Sequence, residues 1–171
     1  MTKPPTMQQG HSNDFQTPAW ALLPLYKYLF GKKVWECACG KGNLVKAMED
    51  YGIDVLGTDI NYGRMDFLNM NNWCDTNCIV TNPPYTIKDK FLEHCYEIGK
   101  PFALLMPLTA LEGIKRQALY RKHGLELILL PKRVNFETPT GEGAGAWFAS
   151  AWFTNGFNVG KDMTFWQNNE T

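Results

Sequence analysis

Residues Asn82-Pro83-Pro84-Tyr85 follow directly on the β-branched run Ile79-Val80-Thr81 and bring an amide side chain, two proline carbonyls and an aromatic ring to one corner of the chain. Successive prolines remove two backbone donors and fix φ, and each residue before a proline is pushed out of the helical region. The corner is therefore stiff and extended, and it ends a strand. Acceptors held this rigidly can serve a reaction in which positive charge develops beside them, because they need no reorganisation when it does.

A second group of residues lies upstream. In Val34-Trp35-Glu36-Cys37-Ala38-Cys39-Gly40-Lys41-Gly42-Asn43-Leu44 a strand pattern runs into Gly40-x-Gly42 and then into a helical pattern. Glycines at such a turn let the backbone approach a ligand without a Cβ in the way. Asp59 ends the next strand pattern about twenty residues on, where a carboxylate can accept from both hydroxyls of a ribose. The third glycine of the dinucleotide fingerprint is missing, so the turn alone is weak. Three strand ends carrying such groups together are a stronger signal.

These residues need a scaffold, and the sequence supplies one. The 171 residues suit one domain with a sizeable core. Residues 1–13 are polar and aperiodic, and a flexible arm is expected there; residues 14–155 read as the single domain and 156–171 as a peripheral tail. Pro18 opens an amphipathic helical stretch that bends or restarts near Pro24 and stops at Gly31. Short apolar runs then alternate with helical patterns. KVWECA, IDVLGTD, NCIVTN, FALLMP and LELILLP read as strands, NLVKAMEDY, DKFLEHCYEIG and IKRQALYRKH as helices, and AWFASAWFT as an antiparallel closing strand. That alternation predicts an α/β fold, a mostly parallel sheet with helices on both faces. Ligands of such sheets bind outside the carboxyl ends of the strands, at the switch point, where all three strand ends lie.

Lys plus Arg equals Asp plus Glu at 17 each, so no large net field marks a polyanion partner. No apolar run approaches a membrane span and the first residues lack the apolar core of a signal peptide, which predicts a soluble, cytoplasmic protein with no membrane partner. Five cysteines, an odd number, fit a reducing compartment. The pairs Cys37/Cys39 and Cys74/Cys78 have spacings that zinc can use, but Cys37 and Cys39 fall where a strand enters the glycine turn. Buried inert thiols and no metal are expected, with Cys95 in the core. His11, His94 and His123 suit surface or capping roles.

In order, TPAWALLPL, ECACGKGNL, GTDI, MDFLN and NPPY resemble the motifs of class I S-adenosylmethionine-dependent amino-methyltransferases, above all the short N6-adenine DNA methyltransferases of phages and mobile elements. The resemblance covers roughly Asp14 to Phe91 and continues faintly to Phe153. Cys37 stands where many relatives have proline. The implied fold is Rossmann-like, with a seven-stranded sheet, and the implied cofactor is S-adenosylmethionine. By the same resemblance Thr17 and Pro18 lie near its methionine end, and Glu36, Ala38, Gly40 and Gly42 surround its amino-acid part. Asp59 binds the ribose, Ile60 lies on the adenine face, Asp66 accepts from the adenine amino group, and Phe67 flanks the ring. Asn82 also borders the cofactor.

The chemistry implied for the corner is methyl transfer to the exocyclic N6 amine of adenine in DNA. That nitrogen is a poor nucleophile because its lone pair is delocalised into the ring. Donation of its two N–H groups to the Asn82 side-chain oxygen and the Pro83 carbonyl draws it toward tetrahedral geometry, while Tyr85 stacks on the base; Pro84 completes the catalytic corner. Phe136 is the candidate for the second wall of the base pocket. Lys88, Lys132 and Arg133 are candidates for phosphates, as is Lys90, whereas Lys115, Arg116, Arg121 and Lys122 suit a solvated helix face. The glycine-rich connection TPTGEGAGA can close over a substrate or serve as a plain hairpin loop, and Trp147, Phe148, Trp152 and Phe153 are expected in the core. No separate target-recognition domain is evident, so a homodimer mate or a specificity subunit is an expected source of specificity. RNA is the alternative polymer; a glutamine side chain in a protein ranks third. A non-catalytic, cofactor-binding interaction subunit is the remaining class.

Overall fold

The computed structural model describes residues 15–71, 74–138, 141–142, 148–160 and 164–165. The strands are β1 (Lys33–Glu36), β2 (Asp54–Gly57), β3 (Cys78–Thr81), β4 (Phe102–Pro107), β5 (Glu126–Leu129), β6 (Glu137–Thr138), β7 (Gly141–Glu142), β8 (Ser150–Asn155) and β9 (Thr164–Phe165). The α-helices are α1 (Tyr26–Leu29), α2 (Asn43–Asp50), α3 (Lys88–Ile98) and α4 (Ile114–His123). The main sheet has the order β2-β1-β3-β4-β8-β5-β9, and β6 and β7 form a separate small hairpin.

Strands β2, β1, β3 and β4 are parallel, β8 runs antiparallel between β4 and β5, and β9 pairs parallel beside β5. All six runs read as strands from the sequence are strands here. The seven-stranded expectation is corrected: six strands of four to six residues carry the sheet. A seventh position is filled only by the two residues of β9, at the outer edge. The connection from Thr58 to Asn77 is rich in Asn and Asp, which favour turns over strands. Among its described residues it forms bends and one 3-10 turn, Phe67–Asn69.

Central strands of a doubly covered sheet are apolar on both sides. Strands β3 and β4 are buried at every position. Alternate residues point to opposite faces, and the core divides accordingly. Val34, Val80, Leu105 and Trp152 join Leu22, Leu25 and Met48 in one cluster, whereas Trp35, Ile79, Leu104 and Phe153 join Phe91 and Leu92 in the other. The first face is thus covered by the N-terminal segment and α2, the second by α3.

The N-terminal stretch differs from the helix expected. It is a 3-10 helix over Ala19–Leu25 followed by the single turn α1. Pro24 lies inside the 3-10 segment, and its missing N–H denies the chain an α-helical bond at that point. The Trp152 indole donates to the Ala21 carbonyl at 2.7 Å and ties this segment to β8. Beyond Asn155 the chain stays on the fold, for Phe157 is buried near Tyr28 and β9 pairs with β5.

Candidate functional site

The sheet order reverses direction between β1 and β3, and a cavity of about 540 Å³ opens there at the strand ends. Its walls come from all three strand ends singled out in the sequence: Glu36, Ala38 and Gly40 after β1, Asp59 and Ile60 after β2, Asn82 and Pro84 after β3. Thr17, Asp66 and Phe67 also line it. Pro18 caps the 3-10 helix next to Thr17, and Gly42 caps α2 with φ 90°.

Backbone bonds weld the first two strand ends together. The Thr58 N–H donates to the Glu36 carbonyl at 2.8 Å, the Cys39 N–H to the Thr58 carbonyl at 3.0 Å, and the Trp35 indole to the Thr58 hydroxyl at 2.8 Å. Gly57 allows α2 to sit this close: a Cβ there would lie 2.8 Å from Val45 Cγ2. Gly40 is equally constrained, with φ +51° and the Gln16 side-chain amide 2.6 Å from where a Cβ would stand.

Asp59 holds the turn itself. Its Oδ2 accepts from the Gly40 N–H at 2.9 Å and its Oδ1 from the Asn61 N–H at 2.7 Å. A carboxylate has about four acceptor positions, so each oxygen retains one for a ligand. Asp66 has a comparable structural job: Oδ1 accepts from the Leu68 N–H at 3.1 Å and Oδ2 from the Asn69 amide at 2.6 Å. Phe67 is buried, its ring centred 5.2 Å from Trp35, 4.8 Å from Phe91 and 4.9 Å from His94. The cavity wall instead exposes Ile60, at 58 %, and Tyr62, at 55 %.

Glu36 is 1 % exposed. Burial pushes its carboxyl up to about 8, with the Asp59 charge adding to the rise; the Thr81 hydroxyl and the Ala38 N–H, which donates at 3.1 Å, pull the other way. The Thr81 hydroxyl lies close but out of hydrogen-bonding geometry. Burial likewise raises the Cys37 thiol well above its usual value and the Cys39 thiol to about 11. All five cysteines are free, and Cys95 is in the core.

At the Asn82 corner the amide nitrogen donates to the Phe15 carbonyl at 3.3 Å. Its Oδ1 is buried and has no hydrogen-bond partner, and the same is true of Thr17 Oγ1. Asn82 thus lines the cavity and carries an unfilled acceptor. Tyr85 faces elsewhere. It is 9 % exposed and Phe136 is 6 % exposed, and their rings meet edge-on with centroids 6.1 Å apart. Phe148 lies edge-on at 5.4 Å from Tyr85. The structure does bring the two expected walls of a base pocket together, but they touch, and no ring-sized gap lies between them. The Tyr85 hydroxyl and Ser150 Oγ are neighbours, yet neither makes a hydrogen bond.

The remaining candidates divide. Lys88 folds back, its ammonium 3.4 Å from the Tyr85 carbonyl. Lys132 stands over the Trp20 ring at 4.9 Å, and Arg133 is exposed. Two expectations are corrected. His94 is buried rather than superficial, with Nε2 2.8 Å from the Met70 carbonyl. Arg116 leaves the solvated face of α4 to make a two-pronged bond with Asp89 at 2.8 and 2.9 Å. Phe148 is partly buried and packs against the core beside Tyr85; Trp147 and part of the glycine-rich connection lie outside the described residues, as does His11. Gln16, Tyr62 and Ser150 were not anticipated. Gln16 adjoins Thr17, which was the one sequence signal for it.

Among described residues no group of His, Cys, Asp and Glu could hold a metal ion, and no helix is long and apolar enough to cross a membrane. The molecule is a mixed α/β protein with a cavity at its switch point. Solved structures similar to it include TehB from Haemophilus influenzae, with a TM-score of 0.41 and 12 % identity over 79 % of this chain and 61 % of that one. The CcbJ methyltransferase from Streptomyces caelestis has a TM-score of 0.41 and 12 % identity over 82 % of this chain and 74 % of that one. Likenesses this slight carry no functional argument. No family model and no curated protein matches the chain.

Proposed function

We infer that the chain is an S-adenosylmethionine-dependent methyltransferase acting on the exocyclic N6 amine of adenine in DNA. The observation that carries this reading is the Asn82 side chain: a buried acceptor oxygen without a partner, beside a rigid double-proline corner, on the wall of the same cavity as Gly40 and Asp59. A buried acceptor left unpaired costs on the order of 1–3 kcal/mol. A ligand donor arriving there recovers that cost.

The cavity's residues fit the cofactor. Thr17 Oγ1 and Glu36 provide polar groups for its amino-acid end, the Gly40 turn brings backbone close, the two spare acceptor positions of Asp59 suit a ribose, and Ile60 and Tyr62 offer apolar surface to a base. Bound there, S-adenosylmethionine supplies an electrophilic methyl group on a sulfonium, already an excellent leaving group. The protein's part is then alignment and exclusion of water. Asn82 Oδ1 and the Pro83 carbonyl accept the two N–H groups of the amine and turn its lone pair toward the methyl carbon. Held by Thr17, Glu36, Gly40 and Asp59, the cofactor would supply the methyl group and its sulfur would leave with the bonding pair, while the surplus proton of the amine would pass to solvent. Tyr85 and Phe136 flank the base once they part.

A second reading, a cofactor-binding subunit without transfer, draws support from the closed Tyr85–Phe136 contact. One experiment separates the readings. Purified protein with methyl-labelled cofactor is offered duplex DNA, single-stranded DNA, RNA and protein extract, and the labelled product is hydrolysed. N6-methyladenine from DNA is expected. Label in RNA alone moves the reading to the other polymer, label in protein alone rejects it, and cofactor binding without label favours the subunit.

A further inference from the structure

The geometry points to residues Phe15–Thr17 as a positioning strap that fixes the Asn82 amide in its reactive orientation; the reactive part of this statement rests on the function proposed above. An asparagine amide can flip about its last torsion and exchange its oxygen and nitrogen. The two states are opposite in chemistry. One offers an acceptor to an incoming N–H, and the other meets it with a second donor. Which state prevails depends on what the amide's other end touches.

Here the other end touches the Phe15 carbonyl, 67 positions away in sequence, at 3.3 Å from Nδ2. A carbonyl can only accept, so it holds the nitrogen and leaves Oδ1 as the atom without a partner. The carbonyl is itself anchored. The Phe15 ring lies 5.8 Å from Phe136, Gln16 is buried with its amide against the Gly40 turn, and Thr17 is buried in the cavity wall. Three consecutive residues thus contact the catalytic amide, the aromatic wall and the cofactor turn. A strap serving packing alone would not need its carbonyl aimed at the one side chain whose flip state decides reactivity.

The test uses the full chain with Phe15→Ala and Phe15→Leu, the leucine restoring apolar bulk. The Asn82 side-chain NH2 resonances are assigned by their loss in Asn82→Asp, and their hydrogen exchange is followed in the cofactor-bound protein. Wild type is expected to show slowed exchange. In Phe15→Ala exchange should speed up and kcat should fall about tenfold, the worth of one ordinary hydrogen bond. The cofactor Kd should hold, and Phe15→Leu should recover most of kcat. Unprotected Asn82 resonances in wild type, or an unchanged kcat once Phe15→Ala has released them, overturn the strap. A wild type that labels no acceptor instead overturns the proposed function, and amide exchange alone then decides whether the strap holds Asn82.

Discussion

The two sides of the Asn82 corner are built to different standards. On the cofactor side the cavity is open, its polar groups are braced by backbone bonds, and its large apolar residues Ile60 and Tyr62 are more than half exposed. On the Tyr85 side Phe136 and Phe148 each lean edge-on against the Tyr85 ring, and two neighbouring hydroxyls lie buried without partners. One half is preformed and the other is closed. A ring can enter the closed half only by separating contacts worth about 0.5–1.5 kcal/mol each beyond their buried area. Extraction of a base from a duplex adds a few kcal/mol to that. Under the proposed function the acceptor therefore has to bring binding energy of its own, from phosphates or a partner, whereas the methyl donor does not.

The sharpest way to break this comparison is at the residue both halves share. Asn82→Ala removes the unpartnered acceptor, and loss of one preorganised group of this kind lowers kcat by about 10²–10³. Cofactor affinity should survive, since the braced turn and Asp59 are untouched. Single-turnover transfer and calorimetric cofactor binding, measured on the same preparation, check both halves at once. If binding is lost together with transfer, the two halves are not separable.

Next in size is the pH response of the cofactor side. Burial raises Glu36 from 4.5 to about 8, so the folded protein holds a proton that the unfolded chain has already lost across that interval. Stability contributed by this group therefore declines as pH rises from 4.5 to about 8, and levels off above. At about 1.4 kcal/mol per unit the whole span is at most about 5 kcal/mol. Glu36→Gln should flatten the slope in denaturant titrations run from pH 5 to 9. A cationic methyl donor beside Glu36 favours the ionised carboxyl, so below about pH 8 its affinity should rise with pH by up to about tenfold per unit, with proton release on binding. A flat profile in wild type would mean that the donor's ammonium lies elsewhere.

Smaller again is the effect of opening the closed side. Phe148→Ala removes one ring from Tyr85; the acceptor KM should drop by up to about tenfold, by the worth of one aromatic pair, while cofactor affinity stays the same. A rise in KM would show that Phe148 grips the incoming ring rather than occupying its place.

The same contrast explains what could be read in advance. Strand ends are set by periodicity and by proline and glycine, which act locally, so Gly40, Asp59 and Asn82 could be assigned to one rim from spacing alone. Directions of side chains were less accessible. Tyr85 lies three residues past Asn82 yet turns away from the cavity, because Phe136 and Phe148 reach it from distant parts of the chain. Long-range contacts of that kind leave no periodic signal. His94 shows the same thing: its helix was evident, but the carbonyl of Met70 that buries it lies in an aperiodic loop. The Asn82–Phe15 bond joins residues 67 apart and was invisible for the same reason. The missing full-length seventh strand reflects an assumption drawn from resemblance where the local sequence, rich in Asn and Asp, favours turns.

The smallest effect bears on how the closed side would obtain its binding energy. Lys132, a candidate for phosphate, stands 4.9 Å over the Trp20 ring, and an exposed cation–π contact is worth about 0.5–1 kcal/mol. The two roles are compatible, since an ammonium above a ring still has donors directed to solvent. They differ in what Lys132→Met should do. The contact alone predicts a loss of stability within that range and DNA binding unchanged at every salt concentration. A phosphate contact predicts weaker binding to all sequences alike, with the slope of log K against log salt reduced by about 1. We expect the second pattern, because Val134 and Phe136 in the same segment are buried and Phe136 meets Tyr85, which sets Lys132 only four positions from the ring that must move when a base enters. An unchanged slope would leave Lys132 as a brace for the N-terminal segment and shift the search for phosphate contacts to Arg133 and Lys90.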